Sequence, residues 1–112
     1  MLVKLYENPD LSQNFETDWF AVDYSGRKPH LKTRSLNVVW ENVEGNRKGQ
    51  LEIYTSPDRK TKTLGAILLI SGNTNIQDAS VLLFCVSVSY VKFRYSSNGT
   101  TSGKIRVFIE IQ

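Results

Sequence analysis

Few side chains in this sequence of 112 residues could carry catalytic or metal chemistry. Nucleophilic catalysis by cysteine or serine needs a positioned base, and the chain has one histidine, His30, and one cysteine, Cys85. Cys85 lies in the apolar run VLLFCV, where a thiol is typically an inert core group. A zinc site needs three or four ligands at suitable spacing, which one histidine and one cysteine do not supply. We therefore expect no metal site and no cofactor.

Acidic residues are numerous enough to form carboxylate pairs of the kind that glycosidases use. On the outward faces of strands, however, carboxylates are usually solvated, and a chain of this length leaves little sequence for a catalytic cleft. The glycines are dispersed at turns and form no phosphate-binding pattern. We expect that the protein is not an enzyme. The acidic residues considered are Glu16, Asp18, Asp23, Glu41, Glu44 and Glu52.

The elements that must position any site are predicted to be strands. Polar and apolar residues alternate with period two, or β-prone residues cluster, between turns rich in Gly, Pro, Asn and Ser. Two apolar runs lack alternation, and a helix at residues 64–70 or 76–86 is the alternative there. The sequence predicts an all-β fold, a single antiparallel β-sandwich of jelly-roll-like form with seven or eight strands. The predicted strands are residues 15–23, 34–43, 49–56, 63–70, 80–88, 90–96 and 103–111.

The first thirteen residues differ from the rest, and we expect a short N-terminal arm at residues 1–13 followed by a sandwich domain at residues 14–112. Pro9 prevents a continuous helix and removes a backbone donor from any strand. The apolar residues of this arm could fold back on their own domain or contact a neighbouring subunit. These residues are Leu2, Leu5, Tyr6 and Leu11.

The formal net charge is +3, with an acidic first quarter and a basic stretch over residues 27–62. Because the basic residues are scattered through turns and no recognition helix is visible, we expect no nucleic-acid partner. The longest apolar run, residues 64–70, is far shorter than the roughly 20 residues that span a bilayer, so we expect no membrane partner. A nucleic-acid-binding sandwich, the alternative, would use Arg27, Lys28, Lys32, Arg34, Arg47 and Lys48.

Several aromatic and basic side chains are predicted to lie on outward faces. If Leu51 and Ile53 point inward, Tyr54 points outward, and Tyr90 does so together with Lys92 and Arg94. Tyrosine beside arginine is typical of interface hot spots, although single exposed tyrosines are also normal on sheets. Trp40 continues the inward face of its strand and is predicted to lie in the core, whereas Trp19 could be core or a sugar-stacking residue.

The order of several motifs resembles a small β-sandwich domain of bacteriophage virion structural proteins. The motifs are S-x-x-V-V-W at residues 35–40, G-x-L-x-I-x-x-S-x-D at 49–58, Y-V-K-F-R-Y at 90–95 and G-K-I-R-V at 103–107. The resemblance covers about residues 14–112. It implies a non-catalytic capsid decoration, head-fibre, neck or tail accessory protein, made in the host bacterial cytoplasm and located in the virion.

The resemblance also implies that the chain acts through contacts with other virion proteins and as a homo-oligomer. The alternative is a carbohydrate- or receptor-binding module, which would expose aromatic residues in a groove or loop. The candidate interface residues are Leu2, Leu5, Tyr6, Leu11, Tyr54, Tyr90, Lys92, Arg94, Lys104 and Arg106.

Overall fold

The structure, a computed structural model, describes residues 2–22, 33–45, 49–70, 76–84 and 89–110. Within these ranges it contains nine strands. They are β1 (Leu2–Asn8), β2 (Phe15–Glu16), β3 (Phe20–Ala21), β4 (Thr33–Gly45), β5 (Gly49–Ser56), β6 (Thr63–Ile70), β7 (Ile76–Phe84), β8 (Tyr90–Ser96) and β9 (Thr100–Glu110).

The strands form two antiparallel sheets, which we name the first and the second sheet. The first sheet has the order β1-β9-β4-β7, and the second has the order β2-β8-β5-β6 with β3 also paired to β8. Most consecutive strands lie in different sheets, which is the arrangement of a jelly roll. The predicted all-β sandwich is confirmed. The helical alternative for residues 64–70 and 76–84 is wrong, because β6 and β7 occupy them.

The core lies between the two sheets, and the alternation of the strands accounts for it. In β8, Val91, Phe93 and Tyr95 are buried while the residues between them point outward. Trp40 is buried in β4, as its place beside Leu36 and Val38 predicted. Other buried members of the core are Val22, Val43, Leu51, Ile53, Ile70, Ile105, Val107 and Ile109.

The N-terminal residues do not form an arm outside the sheets. Residues 2–8 are strand β1, which pairs antiparallel with β9 along its length and forms an edge of the first sheet. The register shifts between Lys4 and Tyr6, so that Leu5 interrupts the period-two alternation. This bulge hides the strand in the sequence. Pro9 follows immediately after the strand and is consistent with its end at Asn8.

Leu11 fastens the N-terminal segment to the core. Its side chain is 0% exposed, its backbone N–H donates to the Gly103 carbonyl at 2.9 Å, and its carbonyl accepts the Tyr95 hydroxyl at 2.8 Å. Gly103 has a φ of 140°, and a Cβ there would lie 3.1 Å from the Leu11 side chain, so glycine leaves the room that Leu11 fills. Burial raises the pKa of the Tyr95 hydroxyl, which keeps it protonated as a donor.

The last two strands do not lie side by side. A tight turn at Asn98 and Gly99, both with positive φ, joins them, and the Thr100 N–H donates to the Ser97 carbonyl at 2.9 Å. Nevertheless β8 belongs to the second sheet and β9 to the first. Strands β4 and β5, which follow one another in the chain, likewise belong to different sheets. The outward faces of β8 and β9 are therefore on opposite sides of the molecule.

Candidate binding surface

The structure divides the candidate interface residues between two outer faces and the core. Leu11 is in the core, and Leu5 and Tyr6 are partly buried against it, so of the two arrangements that the sequence left open these residues take the one that folds back on their own domain. Tyr6 contacts the rings of Phe15, Phe20 and Phe93, with centroid distances of 5.3 to 6.3 Å. Leu2 is half exposed. Outward positions on the second sheet hold Tyr54, Tyr90, Lys92 and Arg94, and outward positions on the first sheet hold Lys104 and Arg106.

The basic side chains of the first sheet are held by acidic residues of neighbouring strands. Lys104 Nζ lies 3.4 Å from Glu7 of β1, and Arg106 Nη2 lies 3.6 Å from Glu41 of β4. The hydrogen bond and charge of Lys104 hold the pKa of Glu7 below its usual range. Lys4 lies 3.7 Å from the same glutamate. These cations are thus balanced within the molecule and link β9 to both of its neighbours.

The outer face of the second sheet is organised in cross-strand rows. In one row, Glu52 of β5 lies between Ile67 of β6 and Arg94 of β8, and Arg94 is followed by Glu16 of β2. In the next row, Tyr54 lies between Leu64 and Lys92. The face therefore changes from apolar at the β6 edge to charged at the β2 edge.

Three aromatic rings on this side of the sheet each have a cation nearby. Lys62 Nζ lies 4.2 Å from the centroid of the Tyr54 ring, and the Arg59 guanidinium lies 5.1 Å from that of Tyr90. Lys92 Nζ lies 5.2 Å from the centroid of Trp19, whose part in this surface the sequence left open. Such contacts lie within the range of cation–π attraction. The rings and cations together make a surface rich in aromatic and basic groups.

Lys92 also joins the short strand β2 to β8. Its ammonium donates to Glu16 at 2.8 Å, and its side chain is only 15% exposed. The hydrogen bond and charge of Lys92 lower the pKa of Glu16. Thr17 adds two contacts to the same strand, because its N–H donates to the Phe93 carbonyl and its hydroxyl accepts from the Phe93 N–H. These contacts fix the segment that carries Trp19.

Tyr54 is oriented by its neighbours on the face. Its hydroxyl donates a hydrogen bond to Glu52, and this bond raises the pKa of the hydroxyl despite a smaller opposing effect of Arg94. Tyr54, Glu52 and Arg94 therefore form a contiguous polar cluster. Arg94 is the exposed member, so its guanidinium remains accessible to a partner.

The turn between β5 and β6 is built by Asp58 and Ser56, and it presents the two cations that lie over the tyrosine rings. The Asp58 carboxylate accepts the backbone N–H groups of Lys60 and Thr61 at 2.8 Å, which lowers its pKa. The Ser56 hydroxyl accepts the Arg59 N–H at 2.8 Å. Because the backbone of the turn is fixed in this way, Arg59 is held close to Tyr90.

The edge strand β6 exposes apolar side chains. Leu64, Ile67 and Leu69 are 47%, 49% and 65% exposed, and they are three of the four large exposed hydrophobic residues in the described part of the chain. The sequence did not reveal this, because the run TLGAILLI is apolar without alternation, so its inward and outward residues cannot be told apart. Only the neighbouring strand shows which of its residues point outward: Ala66 and Leu68 oppose the buried Ile53 and Leu51.

An open cleft of about 300 Å³ lies at the other edge of the same sheet. Glu16 and Arg94 contribute opposite charges to its wall, beside Asn14 and Ser96. Among the described residues no group of three or more His, Cys, Asp or Glu side chains could hold a metal ion. Within the same ranges, no helix has the length and apolar character needed to cross a membrane.

Several residues considered in the sequence lie outside the described residues. His30 and Cys85 are two of them, so the structure does not test a site built on this pair. Of the basic residues of the nucleic-acid alternative, only Arg34 is placed, at a β4 position that pairs with Leu83. The others outside the described ranges are Arg27, Lys28, Lys32, Arg47 and Lys48.

Comparison with models of protein families finds no match, and comparison with curated protein sequences finds none either. Among solved structures, a mutant of a family 29 carbohydrate-binding module is similar to this chain. The two share 11% sequence identity, the match covers 99% of this chain and 91% of that one, and the TM-score is 0.45.

Proposed function

We propose that the chain is a non-catalytic structural subunit of a bacteriophage virion that binds other virion proteins through the outer face of its second sheet. The observation that carries the binding role is the exposed apolar row of β6, which lies beside Tyr54 of β5 on the face that also holds Arg94, one strand further on. An apolar patch next to tyrosine and arginine has the composition of a protein interface. The assignment to a virion rests on the motif resemblance of residues 14–112. It implies a location in the particle after synthesis in the host bacterial cytoplasm.

The two outer faces support this choice of surface. On the first sheet, Lys104 and Arg106 are balanced by Glu7 and Glu41, so a partner would have to break those ion pairs. On the second sheet Arg94 is exposed, and the contact of Leu64, Ile67 and Leu69 with water is unfavourable. Covering the second face is therefore the more favourable process.

The location is tested by mass spectrometry of purified particles of the bacteriophage whose genome encodes the chain. The proposal predicts that the chain is present in particles at a fixed ratio to the major capsid or tail protein. Its presence in the infected-cell lysate together with its absence from purified particles would contradict the proposal.

The surface is tested by adding purified chain back to particles that were assembled without it. Arg94→Gln removes the exposed cation of the second sheet, and Lys104→Gln is the matched control on the first. We expect the first variant to bind about tenfold more weakly, equivalent to about 1.4 kcal/mol, and the control to bind like the unchanged protein. Equal binding by both variants would show that the second face is not the contact.

Carbohydrate binding is a second candidate, because Trp19, Tyr54 and Tyr90 contribute to one side of one sheet. Sugars stack on aromatic faces, but here Lys92, Lys62 and Arg59 each lie over one of these rings and would have to move. Electrophoresis through gels containing soluble polysaccharides tests it, with Trp19→Ala as the comparison. Retardation of the unchanged protein that is lost in this variant would favour the carbohydrate candidate over a protein partner.

A further inference from the structure

The edges of the two sheets are protected to different degrees. Natural proteins protect an edge strand with charged side chains, proline, bulges or short length, because its unpaired backbone groups otherwise bind another strand. Strand β1 carries the exposed residues Lys4 and Glu7, has a bulge, and is followed by Pro9. Strand β7 carries the exposed Asp78. Strands β2 and β3 have two residues each.

Strand β6 has little of this protection. It is eight residues long and contains neither a charged residue nor proline. Its one irregularity is a shift in register at Gly65, after which residues 66–70 pair regularly with β5. Among the described strands only β5 pairs with β6, so the alternate backbone groups on its other side are available. The outward Ile67 and Leu69 add exposed apolar surface to this free edge.

We propose that β6 pairs edge to edge and antiparallel with β6 of a second copy of the chain, so that the two second sheets become one continuous sheet. This inference rests on the proposed function and names the partner for one edge of the binding surface. The rest of that face, around Tyr54 and Arg94, stays available to other virion proteins.

Self-pairing gives the outward Ile67 and Leu69 an apolar neighbour each. With the two-fold axis at Leu68, Ile67 of one copy lies opposite Leu69 of the other, and the reverse contact is identical. On the inner side, Leu68 meets Leu68, and Ala66 meets Ile70. Because the strand is uncharged, it offers no charge to select a partner strand of opposite sign, whereas its own apolar row is complementary to itself.

The charges beside the strand favour the antiparallel arrangement. Arg59, Lys60 and Lys62 form a basic turn immediately before β6. Parallel pairing would place two such turns side by side, where their charges repel. Antiparallel pairing about Leu68 separates the two Lys62 positions by about 40 Å along the strand direction, far beyond the Debye length of about 8 Å at physiological salt.

The test is the solution mass of the full chain by light scattering over a concentration series. The unchanged protein is expected to approach twice the monomer mass. In Leu69→Lys the two new charges would lie close to the apolar contact between the two β6 strands. The dissociation constant of the dimer should therefore rise at least about tenfold. Ile67→Lys, at the neighbouring outward position, must act in the same direction. Leu2→Lys is the matched control, because Leu2 is 50% exposed on the protected β1 edge, and it should dimerise like the unchanged protein.

A monomer mass at every concentration would overturn the inference, as would a dimer that Leu69→Lys and Ile67→Lys leave unchanged. A dimer broken by Leu2→Lys alone would place the contact at β1 and also contradict it. These failures are distinct from failure of the proposed function: a monomeric chain that is still found in purified particles contradicts β6 pairing and leaves the virion role standing.

Discussion

The outer face of the first sheet is occupied by ion pairs between its own side chains, whereas the outer face of the second sheet exposes apolar side chains and an arginine. On the first, Glu7 and Glu41 hold Lys104 and Arg106, and the edge strand β1 carries charges and a bulge. On the second, Arg94 is exposed and the β6 edge presents Leu64, Ile67 and Leu69 to solvent. Basic residues that look equivalent in the sequence therefore differ in how accessible they are, because only some of them are held in ion pairs by acidic residues of neighbouring strands.

The largest expected effect concerns the attachment of the protected edge. Leu11→Ala empties a core position and should lower the free energy of unfolding by about 2–5 kcal/mol. Leu2→Ala, in the same N-terminal segment but half exposed, should change it by less than about 0.5 kcal/mol. Denaturant titration of both variants measures the difference. Equal, small effects would mean that the N-terminal segment is not fastened to the core.

The inward and outward faces of β5, β8 and β9 could be predicted from the sequence, because the alternation of apolar and polar residues fixes which side chains point inward. Leu51, Phe93 and Val107 are buried as their period-two positions require. The distribution of strands between sheets could not be predicted, since β8 and β9 alternate in the same way whether they are neighbours or lie on opposite sheets. The sequence therefore could not show that Arg94 and Arg106 lie on opposite faces of the molecule.

Two further features were hidden for local reasons. The bulge at Leu5 breaks the alternation of β1, and Pro9 drew attention to an arm rather than to a strand. In β6 the run of apolar residues concealed an exposed face, because only the pairing of Ala66 and Leu68 with the buried Ile53 and Leu51 shows which residues point away from the core. Glu16, which pairs with Lys92 of the second face, lies far from it in sequence and belongs to no motif.

A smaller effect is expected when the arginines of the two sheets are compared for their contribution to stability. Arg106→Ala removes the contact with Glu41 and should destabilise by up to about 1 kcal/mol, as expected for a partly exposed ion pair. Arg94→Ala, on the second face, should change the free energy of unfolding by an amount nearer to zero. Thermal unfolding of both variants in the same buffer is the measurement. A larger loss of stability in Arg94→Ala than in Arg106→Ala would contradict the difference between the two sheets.

The smallest expected effect is the pH dependence of the ion pairs. The pKa values of Glu7 and Glu16 are lowered in the folded protein by Lys104 and Lys92, so both carboxylates contribute stability above their usual value of 4.5. That contribution is lost as the pH falls through the lowered values. The free energy of unfolding, measured between about pH 6 and pH 3, should therefore fall less steeply with decreasing pH in Glu7→Gln and Glu16→Gln than in the unchanged protein. Slopes identical to that of the unchanged protein would contradict these contacts.

Hydrogen exchange of backbone amides, compared between the free chain and the chain in assembled particles, tests most directly which sheet forms the binding surface. With the free chain kept dilute enough to be monomeric, the free edge of β6 should become protected on assembly, because its unpaired N–H groups acquire partners, while β1 should exchange at the same rate in both states. Protection of residues 63–70 with no change at residues 2–8 is the predicted result. Protection of residues 2–8 with no change at residues 63–70 would contradict the account.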